Sequence, residues 1–358
     1  MRLGLVGLPN CGKSTLFNAL TESSSDTGVH PFSTKDKNVS MAAVYDERLL
    51  ELEKMYKAKK LVNATIEVVD IPGLVSGASG GAGLGNKFLS HIREVDGIVH
   101  VVRCFDDDNV VHTEGHVDPS RDINIVNTEL IFADLEVVAR RLDKLPKEIQ
   151  SGKAKKSEQE LLVRIMASLE DETPIKQMNL AKEELEAIKH MSLLTLKPLL
   201  LCANVPEDAL SGNEHSAKVA EYAQGAGIEH FTLCAKMEAE LVGMDDKDDF
   251  LQELGIAESS LSQLTKAGYK GLNLMSFLTA GEKEVRAWTI PVGTRAQDAA
   301  GKVHSDIARG FIRAETVSYA TLMEKGSYAA CKDAGLVRLE GKEYIVEEGD
   351  VILFRFNV

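Results

Sequence analysis

Residues 7–14 read Gly7-Leu8-Pro9-Asn10-Cys11-Gly12-Lys13-Ser14, and the fold follows from them. They match G-x-x-x-x-G-K-[ST], complete the apolar run RLGLVG (2–7) and lead into TLFNAL (15–20), which opens a helix. Strand, glycine loop and helix form the context in which this pattern wraps a phosphate. The glycines admit close backbone approach, and the N–H groups at the helix start present positive potential. Lys13 supplies charge to β- and γ-phosphates, and the Ser14 hydroxyl is a ligand for Mg²⁺. Asn10, Cys11, Gly12, Lys13, Ser14 and Thr15 are the expected phosphate-binding set. Cys11 stands beside a helix N-terminus, which would lower its thiol pKa.

Outward from this loop, further apolar runs read as buried strands: ATIEVVD (64–70), GIVHVVRC (97–104), PLLLCAN (198–204) and EHFTLCA (229–235). Helical-period segments separate them, which predicts an α/β domain with a mostly parallel, doubly wound sheet. NVSMAAV (38–44) reads as an edge strand. From Thr128 to Lys197 the alternation stops. Ile131, Leu135, Val138, Leu142 and Leu145 step along one helical face, SGKAKKSE (151–158) reads as a turn, and Leu161 or Leu162, Ile165 and Leu169 repeat the stripe. Two stripes joined by a polar turn predict an antiparallel helical hairpin, coiled-coil-like, inserted in the sheet domain. After Gly281, EVRAWTIPVG (284–293) reads as a strand and AQDAAGKVHSDIARG (296–310) as a helix and its exit. YIVEEGD (344–350) and VILFRFNV (351–358) read as a closing strand pair. The expected domains are 1–127 with 198–280, 128–197, and 281–358.

The chain carries a net charge of −14 over 358 residues, so neither DNA nor a membrane is an expected partner. Residues 281–358 hold 11 Lys or Arg against 12 Asp or Glu, so nearly all of the excess lies upstream. Five cysteines, at 11, 104, 202, 234 and 331, have neither zinc-finger nor CxxC spacing. The last four lie in or beside apolar or Ala-containing stretches, and buried reduced thiols in the cytoplasm are expected of them. The N-terminus has too short an apolar run for a signal peptide.

Asp70-Ile71-Pro72-Gly73 ends the second buried strand, where a carboxylate can hold Mg²⁺ beside a glycine facing the γ-phosphate. Thr34, in the polar segment HPFSTKD (30–36), is placed to reach the same ion. The glycine-rich stretch after Leu74 suits a loop that senses the γ-phosphate. Asn204-Val205-Pro206-Glu207 stands where guanine-nucleotide switches carry Asn-Lys-x-Asp. That Asp accepts two hydrogen bonds from the guanine edge, and the Lys stem lies along the base. Glu207 is one methylene too long for the same register, and Val205 has no stem. A site built on such hydrogen bonds discriminates by about 10⁴-fold, so the replacement weakens guanine selection. A carboxylate aimed at adenine N1 would be repelled, so Glu207 is expected to turn away.

GLPNCGKSTLFNAL (7–20), DIPGLVSGASGGAGLGNKFL (70–89), HVVRCF (100–105) and EVRAWTIPVG with GFIRAET (310–316) together resemble the Obg-related GTPases, and within them the YchF type of Obg-like ATPases. The resemblance runs end to end. It implies a P-loop G domain, an inserted helical hairpin and a C-terminal TGS domain of β-grasp fold. It further implies a preference for ATP with Mg²⁺, slow hydrolysis, and contact with the ribosome or ribosomal RNA through the TGS and helical parts. Asn204, Val205 and Glu207 would flank the base, and Ser14, Thr34 and Asp70 would serve the metal.

Leu74 occupies the place of a water-orienting glutamine and can form no hydrogen bond. Beside Gly73, two residues could place the water. Asn10 resembles the loop asparagine that holds K⁺ in related switches, and His112, in DDDNVVHTEGHVDP (106–119), follows a sheet strand. Lys302, Arg309 and Arg313 are candidate RNA contacts. A GTPase with relaxed base specificity, a small-molecule phosphotransferase and a nucleotide-stabilised scaffold remain as alternatives.

Overall fold

The computed structural model describes residues 1–26, 38–72, 83–242, 244, 247–253 and 259–357. Contacts divide the chain into two units: residues 1–19, 36–40 and 68–254, and residues 20–35, 41–67 and 255–358. This division cuts the chain differently from the three expected domains, because segments 20–35, 41–67 and 255–280 go with the C-terminal part.

The first sheet contains β1 (Arg2–Val6), β2 (Val39–Val44), β4 (Ala64–Asp70), β5 (Gly97–Arg103), β6 (Leu199–Asn204) and β7 (Glu229–Leu233), with β3 (Leu61–Val62) belonging elsewhere. Its order is β2-β4-β1-β5-β6-β7, and β2 lies on the edge as expected. β1, β5, β6 and β7 pair in parallel, with Val6 opposite His100 and His100 opposite Leu201. Every residue of β5 is buried, which is why the run GIVHVVR carries no polar alternation. The strand order reverses direction between β1 and β5, so the loops leaving their carboxyl ends open a crevice there. Helix α1 (Lys13–Asp26) starts directly from the first of those loops.

After α2 (Glu47–Tyr56) and α3 (Gly83–Glu94) comes α4, a single helix from Pro119 to Gln150. Asp118 caps it by accepting from the Arg121 N–H, and Pro119 fills the first turn. The expected insertion start at Thr128 therefore falls inside a continuous helix. Asp118-Pro119 is a legible start signal, hidden within a segment that reads as loop because of its charge. Val126, Leu130 and Ala133 of α4 pack with Phe88 and Ile92 of α3 and with Leu194. Further along, Ile131, Val138 and Leu145 pack against Leu161, Leu162, Ile165 and Leu169 of α5 (Lys156–Glu170), so the two stripes bury one another. Arg141 reaches Glu148 at 2.8 Å and Glu158 at 2.7 Å, tying the distal ends of the hairpin. At its return, the carboxylate of fully buried Asp134 accepts from the N–H groups of Leu194 and Thr195 and from the Thr195 hydroxyl, each at 2.8 Å. Burial pushes that carboxyl up, while those three donors pull it down.

The second sheet runs β11-β10-β12-β8-β9-β3, using β8 (Leu274–Ala280), β9 (Val285–Pro291), β10 (Phe311–Ser318), β11 (Arg338–Glu340) and β12 (Asp350–Phe356). β8 precedes the expected boundary at 281 and pairs along its whole length with β9. Helix Ala296–Val303 lays Ala296, Ala299 and Ala300 on the sheet against Met275, Phe277, Ile290 and Phe354. Small residues at that spacing let the helix sit close to the strands. One expectation fails here. YIVEEGD forms no strand apart from a single bridge between Arg295 and Ile345, and β12 pairs instead with β10. The Asp350 carboxylate explains it, because it accepts from Tyr344 Oη, the Glu347 N–H and Arg338 and so closes the segment into a turn.

On β10, Glu315 accepts from Arg355 at 2.9 Å, Tyr328 Oη at 2.9 Å and Arg313 at 3.1 Å. The Arg355 bond, assisted by Tyr328 and Arg313 against the cost of burial, holds the Glu315 carboxyl down to about 2. A depressed folded-state value stabilises above the ordinary glutamate range, about 4.3, and that contribution is lost as pH falls toward 2. Trp288, the one tryptophan, lies on β9 and reports this domain. Followed by its fluorescence, the urea midpoint should drop between pH 4.5 and 2. Glu315→Gln should start lower at pH 7 and lose less over that window; parallel curves would assign the drop to other groups.

Candidate phosphate-binding site

The loop after β1 adopts the backbone its glycines permit. Gly12 has φ +92°, and a Cβ there would lie 2.1 Å from Asn204 Nδ2. Asn10 also takes a left-handed φ of 64°, which asparagine tolerates better than most residues. Successive left- and right-handed turns point backbone N–H groups inward and make an anion-binding concavity. Lys13 is 8% exposed, and its Nζ contacts Asp70 Oδ1 at the end of β4. The structure thus brings together the expected phosphate cation and the expected metal carboxylate. Ser14 and Thr15 are exposed in the first turn of α1. A carboxylate and a hydroxyl are a donor set that suits Mg²⁺, which keeps several waters and takes phosphate oxygens as its remaining ligands. No cluster of three or more His, Cys, Asp or Glu that could hold a metal occurs among the described residues. Thr34, Gly73 and Leu74 lie outside the described residues.

Asn204 does something the sequence did not suggest. It is 4% exposed, donates from Nδ2 to the Cys11 carbonyl at 2.9 Å, and accepts at Oδ1 from the Ala235 N–H at 2.9 Å. It braces the glycine loop against the segment after β7. Val205 is 1% exposed and packs in the core with Val102, Val219 and Ala223, so its side chain is not placed to lie along a base. Glu207 pairs with Lys236 at 2.7 Å.

Cys11 behaves opposite to expectation. Burial outweighs the neighbouring N–H groups and Lys13, and pushes its thiol up to about 11. His112 is not a solvated loop residue either. It is buried, with Nε2 at 2.9 Å from Asp122 Oδ2 on α4 and Nδ1 accepting from the Glu114 N–H at 3.1 Å. Its segment is pinned from two other sides. Asn10 Nδ2 donates to the Val111 carbonyl at 2.9 Å, and Arg103 donates to the carbonyls of Phe105 and Val110. Asn10 and His112, read separately in the sequence, therefore belong to one linked group. Arg103, Asp122 and Ala235 were not legible as parts of it. Their roles depend on which loop meets which strand end, and only the run HVVRCF carried a trace.

Asn204→Ala removes two buried hydrogen bonds and leaves the loop unbraced, a loss of about 2 kcal/mol in stability. It should weaken adenine and guanine nucleotides by the same factor in parallel titrations. Selective loss of one base would instead make Asn204 a base reader.

A family model for the YchF GTPase C-terminal domain, described as a protein of unknown function, matches residues 274–357, and one described as 50S ribosome-binding GTPase matches residues 2–138. The ribosome-binding ATPase YchF of Bacillus subtilis (strain 168) is 50% identical over 361 residues, covering 99% of both chains. Obg-like ATPase 1 of Caenorhabditis elegans is 42% identical over 365 residues, covering 100% of this chain and 92% of its own. The solved structure of the Schizosaccharomyces pombe YchF GTPase superposes with a TM-score of 0.89 at 36% identity, covering 99% of this chain and 97% of that one. A GTP binding protein from Pyrococcus horikoshii OT3, at 18% identity and a TM-score of 0.60, shares the fold. With a glycine loop that meets Asp70, a helical hairpin and a second-sheet domain in the same order as these relatives, the chain belongs to the YchF family of Obg-like P-loop proteins.

Proposed function

We propose that this protein binds ATP with Mg²⁺, hydrolyses it slowly, and acts in the cytoplasm as a nucleotide-controlled switch on the ribosome. The observation that supports the nucleotide choice is Glu207, the residue in place of the guanine-reading Asp, which pairs with Lys236. Relatives named ribosome-binding ATPase and Obg-like ATPase support it. A second reading, a GTPase with relaxed base specificity, has its own support in the Schizosaccharomyces pombe relative, which is named a GTPase.

In this mechanism Lys13 and the loop N–H groups would grip the β- and γ-phosphates, while Ser14, Thr34 and Asp70 would hold the metal. Mg²⁺ would supply charge to the developing phosphate oxygens. With Leu74 inert, His112 positions the water, and the Asn10 amide oxygen would be a ligand for K⁺, which would supply charge to the phosphates. Gly73 provides an N–H to the γ-phosphate. The working parts are the nucleotide domain with the first sheet, the arm made by α4 and α5, and the C-terminal TGS-like module, whose sheet already begins with β8 at Leu274.

Ribosomal RNA is the expected surface partner. Between Arg140 and Lys156 at the end of the hairpin, seven Lys or Arg stand against two Asp or Glu, in a chain of net −14. Lys153, Lys155 and Lys156 are exposed there. On the C-terminal module, Arg309 and Arg313 are partly occupied by Asp306 and Glu315, and Lys302 is exposed.

Calorimetric titration should show ATP binding more tightly than GTP; the reverse order would sink the ATPase reading. Lys13→Ala should abolish triphosphate binding, and Glu207→Asp should restore guanine affinity only in part, because Val205 still has no stem. Replacing Lys153, Lys155 and Lys156 together by Glu should weaken nucleotide-dependent co-sedimentation with ribosomes and flatten its salt dependence. Unchanged co-sedimentation would move the contact off the arm.

A further inference from the structure

His112 is already fully engaged. Its Nδ1 accepts from the Glu114 N–H, so the proton of the neutral ring sits on Nε2, facing Asp122 Oδ2 at 2.9 Å. Both side chains are deeply buried, 5% and 3% exposed. A ring that positions a nucleophilic water must turn one nitrogen toward it. In this arrangement neither nitrogen is so directed. The second Asp122 oxygen, Oδ1, accepts from Arg121 Nη2 at 3.0 Å, and the same guanidinium donates to the carbonyls of Glu114 and His116. The His112 loop is thereby folded onto the first turn of α4.

We propose that Asp122 is a latch that parks His112 away from the hydrolytic water, and that displacement of α4 releases it. The proposal rests on the reading of His112 as the water-positioning residue and adds the control of that residue. Three links define the device. Asn10 ties Val111 to the glycine loop, Arg103 ties Val110 to the end of β5, and Asp122 ties His112 to α4. The first two hold the loop to the glycine loop and to β5, and the third, beside the Arg121 contacts to Glu114 and His116, holds the ring to α4. α4 continues unbroken from Asp122 to the arm tip at Gln150, about 42 Å at 1.5 Å per residue. A partner that grips the arm is joined to Asp122 by one helix, and a slide or roll of that helix over Phe88, Ile92 and Leu194 moves Asp122 relative to the sheet. A hydrogen bond to an ionised carboxylate is roughly twice as strong as a neutral one, so the parked form dominates until the helix shifts. Slow basal turnover with stimulation by a partner follows from that balance.

Asp122→Asn preserves the shape and weakens the bond. ATP hydrolysis by the full chain, with and without ribosomes, should show basal kcat rising about fivefold with KM unchanged, and the stimulation ratio falling to match. His112→Ala should lower turnover, and Asp122→Asn combined with His112→Ala should behave as His112→Ala alone. If Asp122→Asn lowers kcat as His112→Ala does, or leaves it unchanged, the latch is wrong. If His112→Ala itself leaves turnover unaltered, the reading of His112 fails instead. Imidazole ¹⁵N spectra of the wild-type protein give a test free of folding defects. They should show a slowly exchanging Nε2–H tautomer for His112, and an Nδ1–H or freely exchanging ring would overturn the proposal.

Discussion

A single buried amide holds the nucleotide end of this molecule together. Asn204 joins the carbonyl of Cys11 to the N–H of Ala235, so the loops after β1, β6 and β7 share one fastening. The parallel order of β1, β5, β6 and β7 makes that possible, because it delivers all those loops to the same edge of the sheet. Gly12 is required there by simple contact: any side chain would displace the amide. With the loop braced from below, its N–H groups and Lys13 keep their arrangement at the crevice. Preorganisation of that kind is what phosphate chemistry asks of a protein, since the chemistry itself is mostly positioning and charge.

The second organising fact is the continuity of α4. Its first turn carries Asp122, its middle packs on α3 through Val126 and Leu130, and its far half forms the hairpin core with α5. Asp134 then fixes the returning chain at Leu194 and Thr195, so the base of the arm is anchored by three hydrogen bonds to one carboxylate. α3 belongs to the same packing cluster, and its own C-terminus is held by Lys197, which donates to the carbonyls of Arg93 and Val95. The arm is thus joined to the sheet domain through helices that descend from the nucleotide loops. A basic tip on an acidic protein gives such an arm an electrostatic reason to meet a polyanion.

Polar groups buried elsewhere follow a consistent rule. Glu315 and Asp350 in the C-terminal domain each gather an arginine and a tyrosine hydroxyl, and both shape the backbone around them. His100 is the contrast: burial within β5 lowers its pKa to about 4, so it stays neutral and packs as a flat apolar ring. Cys11, Cys104 and Cys202 are likewise buried thiols with raised pKa values, inert space-fillers rather than reactive groups.

By itself the sequence determined the local matters: the glycine loop and its helix, the buried strands, and the two hairpin stripes. Each depends on residues within a few positions of one another. Tertiary structure decided the rest. Whether His112 is solvated or parked depends on Asp122, ten residues away across a turn, and on Arg103 and Asn10 from other elements. That Asn204 braces the glycine loop depends on Cys11, 193 residues earlier. The partner of β12 was misjudged for the same reason, since an Asp350 turn and the β10 ladder compete only once the sheet exists. Periodicity records which side of an element is buried, and it carries no record of which distant atom will fill the last hydrogen bond.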